Sequence, residues 1–254
     1  MPINTEEKAN EIRQLGFCIL RRHFPQSLMQ ACNQAFAPIL RNYLESRANA
    51  EPNRGPNRHY IPLPLNPPFY DPRIFDDDSI AAIITQILGD GPAIAQYASD
   101  TPLEHSVHQQ VHADLQPLFH EDPDLFYPPA VLAVNFPFVD ITPERGPFEV
   151  ARATHLLPKE KTLRQIEAGE IPLEPLLLNA GDVLIRDPRC LHRGSPNRTN
   201  TPRVVAVIGY QRQWMRRAEQ LLHDSPMPQS VWENLSAREK DHFRLFEHLV
   251  AQGP

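Results

Sequence analysis

The sequence predicts a mainly β protein with flanking α-helices: an antiparallel sandwich or barrel with helical segments before and after it. Three observations carry this reading. Short apolar runs recur from residue 93 to about 213, bounded by Pro, Gly, Asn and Asp, which is the pattern of strands joined by turns. Helical spacing of apolar residues is confined to the two ends of the chain. Proline is the third: 28 of 254 residues, against a usual ~5%. Recurring along the whole chain, it excludes a long helical bundle or coiled coil. Glycine is sparse at 10, so the chain falls short of the ~25–30% Pro plus Gly of low-complexity sequences.

Each element has a local reason. Thr5 to Leu15 reads as a helix with Glu6 and Glu7 in its first turn, stopped by Gly16. Phe17-Cys18-Ile19-Leu20 is a short strand, and Pro25 and Ser27 open a second helix carrying Leu28, Ala31, Cys32, Ala35 and Phe36 at helical spacing. Between Asn49 and Pro72 prolines are dense and neither period survives. That stretch reads as an extended excursion, either a lid or an ordinary surface loop. Asp76-Asp77-Asp78-Ser79 is a helix start rather than a metal site, and the helix ends at Gly89. Strands are then expected at Ala93–Tyr97, Val131–Val139, Phe148–Val150, Leu176–Leu178, Val183–Ile185 and Val204–Tyr210, with turns at Thr142–Gly146 and Asn179–Asp182. Ser236-Ala237-Arg238-Glu239 is a capping box before Phe243, Phe246, Leu249 and Val250. The expected organisation is one domain over 1–254: a helical N-terminal segment (1–92), a β core over about 93–213 and a helical C-terminal segment (214–254).

Composition narrows the function. Hydrophobic residues make up 41%, enough for one sizeable core. No apolar run approaches the ~18 residues that span a bilayer, so no membrane partner is expected. Met1-Pro2-Ile3-Asn4 lacks the basic start and apolar stretch of a signal peptide. The three cysteines, Cys18, Cys32 and Cys190, are widely spaced, which argues against a disulfide scaffold and points to a reducing, cytoplasmic compartment. With 25 basic and 31 acidic residues the net charge is −6, which disfavours a nucleic-acid partner. Composition leaves the oligomeric state open.

Among 11 histidines, position must select. In Val107-His108-Gln109-Gln110-Val111-His112-Ala113-Asp114, a helix would put His108 and His112 on one face at zinc-protease spacing. That chemistry needs a glutamate after the first histidine, and Gln109 cannot take a proton. On an extended segment His112 and Asp114 share a face instead, able to bind one metal or to form an ordinary surface pair. His192 falls at the rim of a sheet beyond the strand Val183–Ile185. Two histidines and a carboxylate form a facial triad that leaves metal positions open. Arg203 opens the run Val204–Ile208 and carries a permanent charge into a core, where it needs an anion. Either Asp182 or Asp187 answers it, or a ligand carboxylate does.

These residues resemble a family. His112-Ala113-Asp114, Gly146-Pro147-Phe148-Glu149-Val150 with Thr154-His155, then His192-Arg193-Gly194-Ser195-Pro196-Asn197-Arg198 and Arg203, are similar to the phytanoyl-CoA dioxygenase group. With Gly16-Phe17-Cys18-Ile19-Leu20 as the opening strand, the similarity runs from about residue 10 to 213. It implies a double-stranded β-helix (jelly roll) and an Fe(II)- and 2-oxoglutarate-dependent dioxygenase that consumes O2. His112, Asp114 and His192 would hold the iron. Arg203, assisted by the Ser195 hydroxyl, would hold the distal carboxylate of 2-oxoglutarate. The implied reaction oxidises a C–H bond of a small organic substrate, by hydroxylation, desaturation or ring closure, and releases succinate and CO2. Asp114 stands where related halogenases carry a small residue, which favours hydroxylation over halogenation.

Five further residues are candidate substrate contacts. Gln110 either faces the pocket with His108 and His112 or bonds backbone as an edge-strand amide. Asn135 is a polar group inside the apolar run Val131–Phe136 and must be hydrogen-bonded, in the pocket or structurally. Arg58 and Tyr60 sit on the proline-dense excursion. Arg152 replaces a small residue of the family pattern and is either a pocket residue or a solvated strand-end charge. Two rival readings use the same fold: a non-catalytic ligand-binding jelly roll, and a zinc hydrolase built on the same triad.

Overall fold

The structure, a computed structural model, describes residues 3–47, 52–115, 118–119, 122, 127–215 and 227–251. Helix α1 (Thr5–Leu15) is capped by Asn4, whose side chain accepts from the Glu7 N–H at 3.2 Å. Gly16 ends it at a left-handed φ of 88°. Strand β1 (Phe17–Leu20) leads to α2 (Gln26–Ser46), which buries Leu28, Met29, Cys32, Phe36 and Leu40 and accommodates Pro38 in its interior. After β2 (Arg58–Pro62) and the short α3 (Pro72–Phe75) comes α4 (Asp78–Leu88). Its cap is Asp77, accepting from the Ile80 N–H at 2.8 Å.

The remaining strands are β3 (Ala93–Pro102), β4 (Val131–Pro137), β5 (Phe148–Val150), β6 (Glu174–Leu176), β7 (Val183–Arg186), β8 (His192–Gly194) and β9 (Val205–Gln211), with α5 (Lys159–Glu167) between β5 and β6. A six-stranded antiparallel sheet runs in the order β1-β7-β4-β9-β3-β2, and a three-stranded sheet in the order β6-β5-β8. This is the expected jelly roll with flanking helices. Beyond it lie β10 (Met227–Pro228), α6 (Gln229–Asn234), α7 (Ala237–His242) and β11 (Val250–Ala251). The Ser236–Glu239 capping box is formed. No helix among the described residues is long and apolar enough to cross a membrane.

Period two explains why the central strands read as unbroken apolar runs. On β4, Leu132, Val134 and Phe136 join α1, α2 and α4 in the main core, while Val131, Ala133 and Asn135 line a cavity on the other face. On β9, Ala206, Ile208 and Tyr210 face that core, whereas Val205, Val207 and Gly209 face the cavity. Both faces are covered, so alternation disappears.

The largest departures from the sequence expectation fall in two stretches, while the strands expected at Leu176–Leu178 and Val131–Val139 shift to Glu174–Leu176 and Val131–Pro137. Arg58–Pro62 is not an irregular excursion but the edge strand β2, paired with β3 from Arg58↔Pro102 to Pro62↔Ala98. Its first four residues are buried and proline-free, and the terminal Pro62 is tolerated because an edge strand pairs on one side only. Strand β3 continues past Tyr97 to Pro102. Ser99, Asp100 and Thr101 end the apolar run, yet pairing with both β9 and β2 holds them in the sheet.

Candidate active site

Residues 106–111 form no regular strand. Instead His112 makes a single antiparallel bridge to His192, each N–H donating to the other's carbonyl at 2.9 Å. The Asp114 N–H donates to Pro188 O at 2.9 Å. Backbone bonds thus bring three distant residues to one point. Each imidazole is then fixed by its own loop: His112 Nδ1 lies 2.8 Å from Gln110 O, and His192 Nδ1 lies 2.8 Å from Cys190 O. A carbonyl can only accept, so Nδ1 carries the proton and each Nε2 presents a lone pair. Those Nε2 atoms stand 3.6 and 3.5 Å from the Asp114 carboxylate oxygens. All three donor groups lie within 4.8 Å of one another. Ligands at ~2.1 Å in cis positions on one metal are about 3 Å apart, so the set fits an ion after small adjustment.

The charges suit a divalent cation. Enclosure pushes the Asp114 carboxyl up, but Arg186 and the two imidazoles outweigh it and hold it well below the usual carboxylate range. Contact with Asp114 raises His112, while burial lowers His192. Arg186 Nη2 donates to Asp114 Oδ2 at 2.7 Å, and its guanidinium stacks 5.0 Å from the Phe148 ring centre. Phe148 also packs 4.8 Å from the His192 ring.

The triad opens on a cavity of about 710 Å³. Arg203, buried, lies on its wall and is answered by neither Asp182 nor Asp187, which bind Arg21 and Arg189. Its partner is Asp100 on β3, which also takes Arg58 Nη1 at 3.2 Å. One carboxylate therefore serves two buried guanidiniums, and Arg203 Nε has no acceptor among the described residues. Burial lowers Arg203 to about 10, against the pull of Asp100. Burial raises Asp100, but Arg58 and Arg203 outweigh it and leave it low.

The other candidates fall into two groups. Asn135 and Tyr60 line the cavity, Asn135 with a buried Oδ1 that has no donor among the described residues, Tyr60 with Gln96 as partner. Arg58 and Ser195 lie behind the wall: Arg58 Nη2 donates to Ser195 O at 3.0 Å, and the Ser195 hydroxyl donates to Pro147 O at 2.6 Å. Gln110 is exposed and gives its carbonyl to His112. Arg152 is exposed, paired with Glu174 at 2.7 Å. Sequence reasoning missed Arg186, Asp100 and Gln109, all on the cavity, whose lining also includes Arg54 of the proline-dense excursion. Gln109 clasps Gly194 with its backbone N–H and side-chain oxygen, both at 3.0 Å. Arg186 was detectable, since an arginine closing an apolar strand raises the same question as Arg203.

Comparison with known proteins matches this fold. HygX from Streptomyces hygroscopicus, determined with nickel and 2-oxoglutarate bound, superposes at a TM-score of 0.61 and 18% identity, covering 84% of this chain and 89% of that one. The non-haem alpha-ketoglutarate-dependent carbocyclase SnoK from nogalamycin biosynthesis gives 0.61 and 18%, covering 84% and 87%. The epimerase SnoN from the same biosynthesis gives 0.60 and 18%, covering 82% of each. At that identity the likeness establishes the fold. The model of the family described as phytanoyl-CoA dioxygenase (PhyH) matches residues 12–205, from α1 through both sheets to the start of β9. The chain belongs to the phytanoyl-CoA dioxygenase family, enzymes that depend on iron and 2-oxoglutarate.

Proposed function

We propose that this chain is a non-haem Fe(II)- and 2-oxoglutarate-dependent dioxygenase that oxidises a C–H bond of a small organic metabolite, hydroxylation foremost, with release of succinate and CO2. One observation carries the reading. Two lone-pair Nε2 atoms and a carboxylate converge on the wall of a cavity whose lining also includes a buried arginine. His112, Asp114 and His192 hold the metal. Arg203 meets the distal carboxylate of 2-oxoglutarate with its unpaired Nε–H, and Asn135 and Tyr60 offer polar contacts along the same wall. Bound there, iron with 2-oxoglutarate and O2 supplies the oxidising chemistry. The protein's own contribution is placement and exclusion of water: Val131, Ala133, Ile141, Leu178, Leu184, Val205 and Val207 give the cavity its apolar walls.

The test is direct. Apoprotein mixed anaerobically with Fe(II) and 2-oxoglutarate should develop a visible charge-transfer band, and calorimetry should show stoichiometric 2-oxoglutarate binding. Absence of both would sink the proposal. Oxygen-dependent succinate formation separates the oxygenase from a zinc hydrolase, and metal analysis after reconstitution separates it from a non-catalytic module.

A further inference from the structure

The cavity carries more positive charge than the metal and cosubstrate account for. Arg54, Arg186 and Arg203 line it and Arg58 stands behind it, whereas Asp100 and Asp114 are the acidic side chains among its lining residues. Four guanidiniums thus face two carboxylates, in a chain whose net charge is −6. A divalent ion and the doubly charged 2-oxoglutarate cancel each other and leave that surplus in place. A cationic surplus in a low-dielectric cleft attracts a further anion.

Arg186 is where the surplus is unmet. Its side chain is only 10% exposed. Nη2 is committed to Asp114, and Phe148 covers a face of the guanidinium. Nε and Nη1 are buried without an acceptor among the described residues. These two nitrogens lie on different edges of the guanidinium, so each offers a single charge-assisted donor to an anion, and buried donors left unpaired are costly. The sheet register keeps this guanidinium apart from Arg203. Arg186 pairs with Ala133, and Ala133 with Gly209, whereas Arg203 lies six positions before Gly209, roughly 20 Å of extended chain. The two carboxylates of 2-oxoglutarate are matched by the metal and by Arg203. Around Arg186 the lining includes Leu184, Ala133, Gly209 and Phe148, apolar or without a side chain, with Tyr60 and Gln96 as polar neighbours.

We propose that the primary substrate is a carboxylate with an apolar body, and that Arg186 binds its carboxylate beside the metal through an N–H that the protein leaves unpaired, at Nε or Nη1. Arg186 is then a specificity-determining residue as well as the positioning partner of Asp114. The inference rests on the oxygenase reading above, and its test separates the two. Protein loaded anaerobically with Ni(II) and 2-oxoglutarate is titrated calorimetrically with hexanoate and phenylacetate, each beside its primary amide. Failure of Ni(II) or 2-oxoglutarate to bind at the first step counts against the oxygenase reading itself. With loading intact, at least one acid should bind about tenfold or more tightly than its amide, the scale of a charge-assisted hydrogen bond. Arg186→Gln should bring that ratio near one, and Arg186→Lys should keep part of it. Equal binding of acid and amide in the wild type, no binding of either acid at millimolar concentration, displacement of 2-oxoglutarate by the acid, or a ratio indifferent to Arg186→Gln would each overturn the proposal.

Discussion

Two regions of the cavity wall are built by different means. At the triad, main-chain atoms do the positioning: the His112–His192 bridge, the Asp114–Pro188 bond and the carbonyls of Gln110 and Cys190. At the arginine cluster, long side chains from β2, β3 and the start of β9 position one another through a shared carboxylate, Asp100. The first arrangement is local in cause even though its members are distant in sequence. The second exists only when three strands are in register. The difference teaches where each region should fail. Loss of a triad residue should leave the fold standing and remove chemistry, whereas loss of a cluster residue should cost stability, and at Arg203 cosubstrate binding as well.

The largest effect expected is from Asp114→Gly or His192→Ala. Either should abolish substrate oxidation and stoichiometric iron binding, a greater loss than the ~10–100-fold of an outer-shell change, with the folded state retained. Full turnover in Asp114→Gly would show that the metal is held elsewhere. At the other region of the wall, Arg203→Gln should raise the dissociation constant of 2-oxoglutarate by about 10–100-fold, from loss of a charge-assisted pair, with metal binding retained. Unchanged affinity would remove Arg203 from the cosubstrate site.

That contrast also governs what was legible in the sequence. His112, Asp114 and His192 could be read because H-x-D on an extended segment and a histidine after a strand are short-range patterns. Arg203 could be read because an arginine heading an apolar strand must be answered. Asp100 could not: it lies where Ser99 and Thr101 dilute the apolar run, and its role depends on β2, whose prolines hid the strand. Arg58 and Ser195 were picked out as ligand contacts, yet they stand one layer back, because the sheet pleat that separates wall from backing is fixed by register. The helices were more transparent. Asn4, Asp77 and Ser236 cap as their residue types allow.

Two substitutions sharpen the cluster. Asp100→Asn strips the shared countercharge from Arg58 and Arg203 and should cost about 2–3 kcal/mol in urea unfolding, near the lower range for breaking a buried pair because Asp100 is 28% exposed. Cosubstrate affinity should not fall with it, since Arg203 is freed rather than removed. A stability equal to wild type would mean the cluster is held without Asp100. Gly194→Ala acts on the same unit from behind. A Cβ there would lie 2.6 Å from the Arg58 guanidinium, whose side chain is 1% exposed and cannot swing into solvent. Overpacking of this kind costs about 1–2 kcal/mol, measurable as a lower urea midpoint with an unchanged slope.

The smallest effect is a proton count at the triad. Metal ligands must be deprotonated to bind. Asp114 is ionised well below neutrality, and burial keeps His192 neutral, so neither takes up a proton as pH falls toward 6.5. His112 is the exception: contact with Asp114 raises it above 6.5. A raised histidine holds its proton more firmly, so metal and proton compete at this residue first. Metal affinity should be level at alkaline pH and then fall as pH drops through the raised value, by about tenfold per unit for one competing proton. Calorimetric titration of Ni(II) in buffers of different ionisation enthalpy should report close to one proton released per metal just below that value. Release of two would show that His192 is protonated in the apoprotein as well. Release of none would show that the Asp114 contact does not hold a proton on His112, leaving the backbone carbonyls as the sole orienting force on both imidazoles.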